Sequence, residues 1–163
     1  MHSTAHSPRL LIANGVNLDL LGSRQPELYG KLPLGEIYKR LEQFNQSLPQ
    51  LFGFAPCGLS FFQTNSEEHF LAQLSAEPWD GALINPGAWT HSSLALGDRL
   101  AALQLPFVEV HLSNLARREA LRQHSYSAPH ALGVVYGFGA DSYLAGFTAL
   151  LAQLLQKTTR ADH

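Results

Sequence analysis

A single cysteine, Cys57, stands among 163 residues, so no internal disulfide can staple the fold, and a reducing compartment fits. It reads either as a core residue or as a lone nucleophile. Basic residues are also few: 11 Lys and Arg against 13 Asp and Glu leave a formal net charge of −2. A chain so balanced carries no broad positive field, which argues against nucleic acid or an acidic membrane as partner and requires any anion site to be local. No stretch approaches the roughly 20 apolar residues of a membrane span. The opening MHSTAHSP lacks a basic start followed by an apolar run, so a cytoplasmic location is expected. The dinucleotide fingerprint G-x-G-x-x-G is missing too, because GFGADS at 137–142 supplies only its first two glycines and does so late in the chain. Eight histidines are present without a cysteine pair, and His91 and His111 fall on different elements, so no metal is expected.

What is present is a 45% hydrophobic chain of a size suited to one domain, residues 1–163, with its core over about 9–155 between polar ends. Leu10 to Ala13 form a short apolar strand that runs into Asn14-Gly15, a turn signal. The segment 16–30 carries Gly22, Pro26 and Gly30 and reads as a long loop. Leu34, Ile37, Tyr38, Leu41, Phe44 and Leu48 recur at helical spacing, and Pro49 and Gly53 are expected to end that helix. A second strand spans Leu59 to Gln63, followed by a helix capped at Asn65 or Ser66. Gly81 to Ile84 form the third strand and Leu94 to Leu103 a helix. Phe107 to Val110 make the fourth strand, followed by a basic helix. Ala131 to Tyr136 make the fifth, and Tyr143 to Leu155 the closing helix. Five strands alternating with helices predict an α/β fold, a parallel five-stranded sheet with helices on both faces in the flavodoxin-like, three-layer arrangement.

Residues 106–126, PFVEVHLSNLARREALRQHSY, form the segment around which the rest is organised. His111 falls at a strand's carboxyl end, where open α/β sheets place ligands. Glu109 shares its strand face at i−2, close enough to favour a protonated imidazole. Ser113 and Asn114 suit a helix start. Arg118 and Arg122, four apart, read either as an anion clamp on one helical face or as a solvated surface. His111 itself reads as a catalytic group or as a structural histidine.

Polar groups gather at three strand ends: NGVN at 14–17, NPGAWTH at 85–91 and EVHLSN at 109–114. In a parallel sheet these share one edge, so Asn17, Asn85, His91, His111 and Ser113 are expected to line one cleft with the arginines nearby, although each Asn alone also reads as turn chemistry. In the long loop, Tyr29 is a poor base unless a cation such as Arg24 stabilises its phenolate. An exposed tyrosine beside a solvated arginine is the other reading of that pair.

Taken in order, NGVNLDLLGSRQPELYG, INPGAWTHSSLAL, VEVHLSNLARRE, RQHSY and GFGADSY resemble successive blocks of the type II 3-dehydroquinases across about residues 9–155. The resemblance implies dehydration of 3-dehydroquinate to 3-dehydroshikimate through an enolate. No cofactor and no metal take part, and the pathway is shikimate synthesis or quinate breakdown. It implies a homo-oligomer, a dodecamer of trimers, with no nucleic acid or membrane partner. By this resemblance Tyr29 is the base and Arg24 favours its phenolate. Asn17 with a water steadies the enolate, and His111 is the acid oriented by Glu109. Asn85, His91, Leu112, Ser113 and Arg122 contact substrate, Arg118 lies beside them, and Asp98 reaches toward a neighbouring subunit's site. Val16, Asp19, Gly97 and Ala116 depart from the usual blocks without removing a proposed acid or base; Val16 is expected to relax the first turn and Gly97 to remove a contact between subunits. Two other readings start from the fold alone. One is a flavodoxin-like binding protein without turnover. The other is an FMN-dependent electron carrier, disfavoured because the first turn offers few hydroxyls for a phosphate.

Overall fold

The computed structural model describes residues 7–23, 25, 27 and 30–161, with side chains described as far as residue 156. Its five strands are β1 (Arg9–Asn14), β2 (Gly58–Gln63), β3 (Gly81–Asn85), β4 (Phe107–His111) and β5 (Gly133–Tyr136). They pair in parallel in the order β2-β1-β3-β4-β5. Among the described residues, the accompanying α-helices with defined bounds are α1 (Leu34–Phe52), α2 (Glu67–Gln73), α3 (Trp89–Ser92), α4 (Leu94–Leu103) and α5 (Asp141–Ala161).

The period-two alternation of strand side chains sorts the apolar residues into two cores. Leu10 and Ile12 of β1, Leu83 of β3 and Val108 and Val110 of β4 point to one face, where they meet Ile37 and Leu41 of α1 and Phe147 and Leu150 of α5. Leu11, Ala13, Ala82, Ile84 and Phe107 point the other way onto Phe70 of α2 and Leu96 and Leu100 of α4. By the same alternation Glu109 and His111 share the side of Phe107, so a carboxylate is set into a face that elsewhere is apolar.

Helix boundaries follow local chemistry. The Ser66 hydroxyl accepts the His69 amide at 3.3 Å and the Ser93 hydroxyl the Leu96 amide at 2.9 Å, each satisfying an amide that the first turn leaves open. Helix α1 passes through Pro49, contrary to the expectation that this proline ends it. A proline this near the end removes one ladder bond, and the Pro49 carbonyl still accepts the closing Gly53 amide at 3.1 Å, with Gly53 at φ 73°. Cys57 is buried, and its backbone is clamped at both N–H and C=O by the Asn45 side chain, each at 2.8 Å. Burial, with the Asp80 charge, pushes its thiol up to about 11, which does not suit a nucleophile.

The expected basic helix after β4 does not form. Three 3-10 turns, Leu115–Arg117, Ala120–Arg122 and Ala128–His130, carry the chain instead, and β5 begins at Gly133 rather than Ala131. The physical reason is twofold. The segment has no apolar stripe to bury, since Leu121 is 75% exposed. Its side chains also take the backbone groups that a helix would use: Asn114 accepts the Ala116 amide at 3.1 Å, and Gln123 Nε2 donates to the Arg118 carbonyl at 2.7 Å.

The strand order reverses between β1 and β3, the position where such sheets open a crevice. The loops leaving those two strands interlock there. A Cβ on Gly15 would stand 2.3 Å from the Pro86 oxygen, and one on Gly87 (φ 64°) 2.7 Å from the Val16 oxygen. The Gly15 amide donates to the Asn85 carbonyl at 2.8 Å. Val16, expected to relax the first turn, thus sits in a turn held by its neighbours. Gly97 has a local reason as well, since a Cβ there would lie 2.7 Å from the Tyr126 oxygen.

Helix α5 approaches the sheet at Gly146, where a Cβ would meet Val110 Cγ1 at 2.6 Å and Leu83 Cδ1 at 2.8 Å. Both partners are fully buried. Gly146→Val is therefore expected to cost about 3 kcal/mol through overpacking, read as a lower urea midpoint; an unchanged midpoint would show that the interface yields.

Candidate active site

The carboxyl ends of β1, β3 and β4 border an open cleft, at the sheet edge where such folds place ligands. The loop after β1 contributes Asn17 and Leu18 to its wall, and the end of β3 contributes Asn85. His91 enters from α3, and His111, Leu112 and Ser113 close β4. Arg118 and Arg122 reach it from the 3-10 segment. Asn17 holds its place in the left-handed region, φ 66°, a conformation asparagine tolerates better than most residues. Its amide donates to Asn65 Oδ1 at 2.7 Å, tying the loop to the end of β2.

Behind His111 lies Glu109, fully buried. Its Oε1 is 2.6 Å from His111 Nε2, 2.8 Å from the Thr90 hydroxyl and 3.3 Å from that of Ser125. Thr90 Oγ1 also lies 2.8 Å from both Ser125 Oγ and Ser127 Oγ, so a cluster of hydroxyls surrounds one carboxylate oxygen. Burial alone would push this carboxyl up. The hydrogen bond and charge of His111, with the hydroxyls of Ser127 and Thr90, outweigh burial and hold it below its ordinary value. An ionised Glu109 can only accept, so Nε2 of His111 carries hydrogen. Nδ1 is the ring nitrogen left for the cleft.

His91 stacks near His111, with ring centroids 6.3 Å apart and planes inclined by 20°. Its Nδ1 lies 2.6 Å from the His124 carbonyl, which can only accept, so Nδ1 is protonated and Nε2 bears the lone pair of the neutral ring. Burial lowers its proton affinity; the carbonyl bond and Glu109 oppose that, while the charges of His111 and Arg122 add to it, and the net direction is down. The two imidazoles are thus set up unequally, one backed by a carboxylate and one kept neutral. The arginines share Glu119: its Oε1 accepts from Arg122 Nε at 2.8 Å and its Oε2 from Arg118 Nε at 3.5 Å, while Arg118 Nη1 reaches the Ser113 hydroxyl at 3.4 Å. A hydrogen bond from its own backbone amide, together with both guanidiniums, holds the Glu119 carboxyl below its ordinary range.

A family model described as dehydroquinase class II matches residues 8–151. The chain belongs to the class II dehydroquinase family. It is 47% identical over 148 residues to the 3-dehydroquinate dehydratase of Xylella fastidiosa (strain 9a5c), covering 89% of this chain and 95% of that protein. To 3-dehydroquinate dehydratase 2 of Pseudomonas aeruginosa it is 48% identical over 136 residues, covering 82% and 87%. Among solved structures, the type II dehydroquinase of Butyrivibrio crossotus DSM 2876 superposes with a TM-score of 0.81 at 29% identity, covering 88% of this chain and 97% of that one.

In this class II dehydroquinase family member, Asn17, Asn85, His91, His111, Leu112, Ser113, Arg118 and Arg122 meet on one cleft, with Glu109 behind it. Arg24 and Tyr29 lie outside the described residues. Asp98 is exposed on α4 and is not part of the cleft wall of its own chain. The hydroxyls of Thr90, Ser125 and Ser127 were not anticipated from sequence. Their signal was available in WTHS and HSYS, where small hydroxyl residues flank histidines in two segments that must both pack near β4. Asn14, expected to serve a turn, instead ends β1 fully buried and hydrogen-bonded through its side chain to Tyr38 and Tyr143.

Two acid-sensitive limbs of stability follow. His91 binds its proton less readily in the fold than in the unfolded chain, so unfolding takes up a proton as the pH falls through about 6.5, the ordinary histidine value. Glu109 is lowered likewise, so its contribution is complete above about 4.5, the ordinary carboxyl value, and is lost as the pH falls through its depressed folded value. Urea unfolding followed from about pH 7 to pH 3 should lose the first limb in His91→Asn and the second in Glu109→Gln. Parallel profiles for wild type and both variants would contradict this.

Proposed function

We propose that this chain is a type II 3-dehydroquinate dehydratase, a hydro-lyase that converts 3-dehydroquinate to 3-dehydroshikimate and water in shikimate synthesis or quinate breakdown. The observation that carries the reading is the Glu109–His111 pair, 2.6 Å apart, with His111 lining a cleft that Arg118 and Arg122 also line, in a chain of this family. A carboxylated polyol needs a cation and several hydrogen-bonding partners, and elimination beside a ketone needs one base and one acid.

The chemistry balances with these groups. Tyr29, as phenolate favoured by Arg24, removes the proton beside the ketone, and the C–H electron pair becomes an enolate. Asn17 with a water stabilises the enolate oxygen, the task of an oxyanion site. As the enolate collapses the C–O bond breaks, and the hydroxyl leaves as water with the proton of His111 Nδ1. Glu109, ionised and bonded at Nε2, offsets the charge of the imidazolium before that transfer and orients the ring. The proton on Tyr29 returns through solvent to His111, and no redox partner enters. Arg122 and the Ser113 hydroxyl suit the carboxylate, a role in which the ligand competes with Glu119 for the guanidinium. Leu112 and Arg118 adjoin these groups on the same wall. His91 Nε2 suits a hydroxyl donor and Asn85 a ligand hydroxyl. The reading requires neither cofactor nor metal.

The same reading takes the assembly to be a dodecamer of trimers. Leu132, Val134, Tyr136 and Phe138 lie exposed along and beside the unpaired edge of β5, and a second copy would remove that edge from water. Asp98 would then approach a neighbouring cleft.

Chelator-treated protein mixed with 3-dehydroquinate should develop the ultraviolet absorbance of a conjugated enone. Tyr29→Phe should lower turnover by about 10² to 10⁴. Folded wild type that stays silent would sink the enzyme assignment, and a Tyr29→Phe variant with normal turnover would sink the base. Light scattering should give the mass of twelve chains; a stable monomer would reject the assembly.

A further inference from the structure

Asn85 is 2% exposed and belongs to the cleft wall, and both ends of its amide are also engaged by protein. Its Oδ1 accepts the Gly87 amide at 3.1 Å and its Nδ2 donates to the Tyr143 hydroxyl at 2.8 Å. Tyr143, fully buried on α5, donates in turn to Asn14 Oδ1 at 2.5 Å. Asn14 Nδ2 donates to the Tyr38 hydroxyl at 2.9 Å, and Tyr38 to the Phe62 carbonyl at 3.4 Å. Four side chains from β1, β3, α1 and α5 therefore form one continuous chain of hydrogen bonds beneath the site.

The two ends of that chain are backbone groups whose polarity cannot change. The Phe62 carbonyl only accepts, so the Tyr38 hydroxyl spends its hydrogen there and shows its lone pairs to Asn14, which must answer with its NH2. Asn14 then shows Oδ1 to Tyr143, which spends its own hydrogen on it and accepts from Asn85. Asn85 must present NH2 to Tyr143 and Oδ1 to the Gly87 amide, which only donates. A flipped Asn85 would set donor against donor at Gly87 and acceptor against acceptor at Tyr143, so one arrangement satisfies all five bonds. Burial supports the ordering, since it pushes the Tyr143 phenol up and, against the Asn14 hydrogen bond, raises that of Tyr38 to about 12, so both hydroxyls keep the hydrogen they donate.

We propose that Tyr143, a residue outside the cleft wall, is a positioning residue that acts with Asn14 and Tyr38 to fix the sense of the Asn85 amide, so that the cleft is offered the second N–H of Nδ2. Specificity at this point is then for a ligand group that accepts a hydrogen bond beside Asn85, and it is set from α1, across the sheet from the hydroxyl cluster around Glu109. The kinetic part of this inference rests on the dehydratase reading; the amide orientation does not.

The test uses Tyr143→Phe, Tyr38→Phe and the double variant, each of which keeps the ring and removes only a hydroxyl. In nitrogen-edited NMR spectra the Asn85 side-chain pair, identified by its loss in Asn85→Asp, should be one sharp pair in wild type. It should shift or split in Tyr143→Phe, and also in Tyr38→Phe, although Tyr38 does not touch Asn85. With 3-dehydroquinate as substrate, KM should rise about tenfold in Tyr143→Phe, the scale of one hydrogen bond, and less in Tyr38→Phe. The double variant should match Tyr143→Phe within about twofold, because a broken chain has nothing further to transmit. Multiplying effects in the double variant, or an Asn85 pair unmoved by Tyr38→Phe, would overturn the proposal. If Tyr143→Phe fails to fold, Tyr38→Phe still decides through the NMR signal. A wild type without turnover would remove the dehydratase reading while leaving the amide result standing.

Discussion

A carboxylate with no exposed surface is the constraint on which the rest of the site depends. Glu109 occupies a strand position whose neighbours on the same face are Phe107, Ala82 and Ile84. Taking an ion out of water there costs several kcal/mol, roughly, unless partners are at hand. His111 two residues on, Thr90 from α3, and Ser125 and Ser127 from the crossover to β5 converge to supply them. Apart from His111 on β4 itself, they come from two connections, so forming the ion's environment obliges the segment after β3 and the crossover to β5 to fold onto one strand end. That obligation is also what shapes the cleft.

The crossover from β4 to β5 follows from the same requirement. An amphipathic helix there would have laid apolar side chains over the end of β4. Irregular 3-10 turns instead bring serines and arginines to it and leave Leu121 in water. The two apolar cores stop short of this edge, one beneath Asn14 and Asn85, the other beneath Thr90. The sheet is thus held mainly by apolar packing on its two faces, and the polar layer is held by hydrogen bonds of fixed direction.

Much of this was legible in the chain itself. Strand runs such as Leu10 to Ala13 and Gly81 to Ile84 are short, apolar and bounded by turn residues, and the helical spacing from Leu34 to Leu48 is unbroken, so element types and order could be read. The i, i+2 relation of Glu109 and His111 follows from strand geometry alone. What could not be read were features that depend on packing between distant segments. Pro49 stays helical because a ladder bond is expendable near a helix end. Arg118 and Arg122 look helical by spacing, yet Asn114 and Gln123 take backbone groups of Ala116 and Arg118 that a helix would use. Thr90 and Ser127 carry only the faint mark of WTHS and HSYS, and Tyr143 none, of partners that lie 19, 18 and 129 residues away. Sequence proximity has nothing to say about those pairs.

The clamp of Asn45 on Cys57 has a practical side. With a thiol pushed up to about 11, only on the order of one molecule in ten thousand is thiolate at neutral pH, and the side chain is buried besides. Alkylating dyes and spin labels should therefore pass the native chain by. A cysteine introduced at an exposed position such as Leu121, beside the arginines of the cleft, would be the one reactive thiol, and a label there could report on ligand binding in a protein whose own cysteine need not be removed.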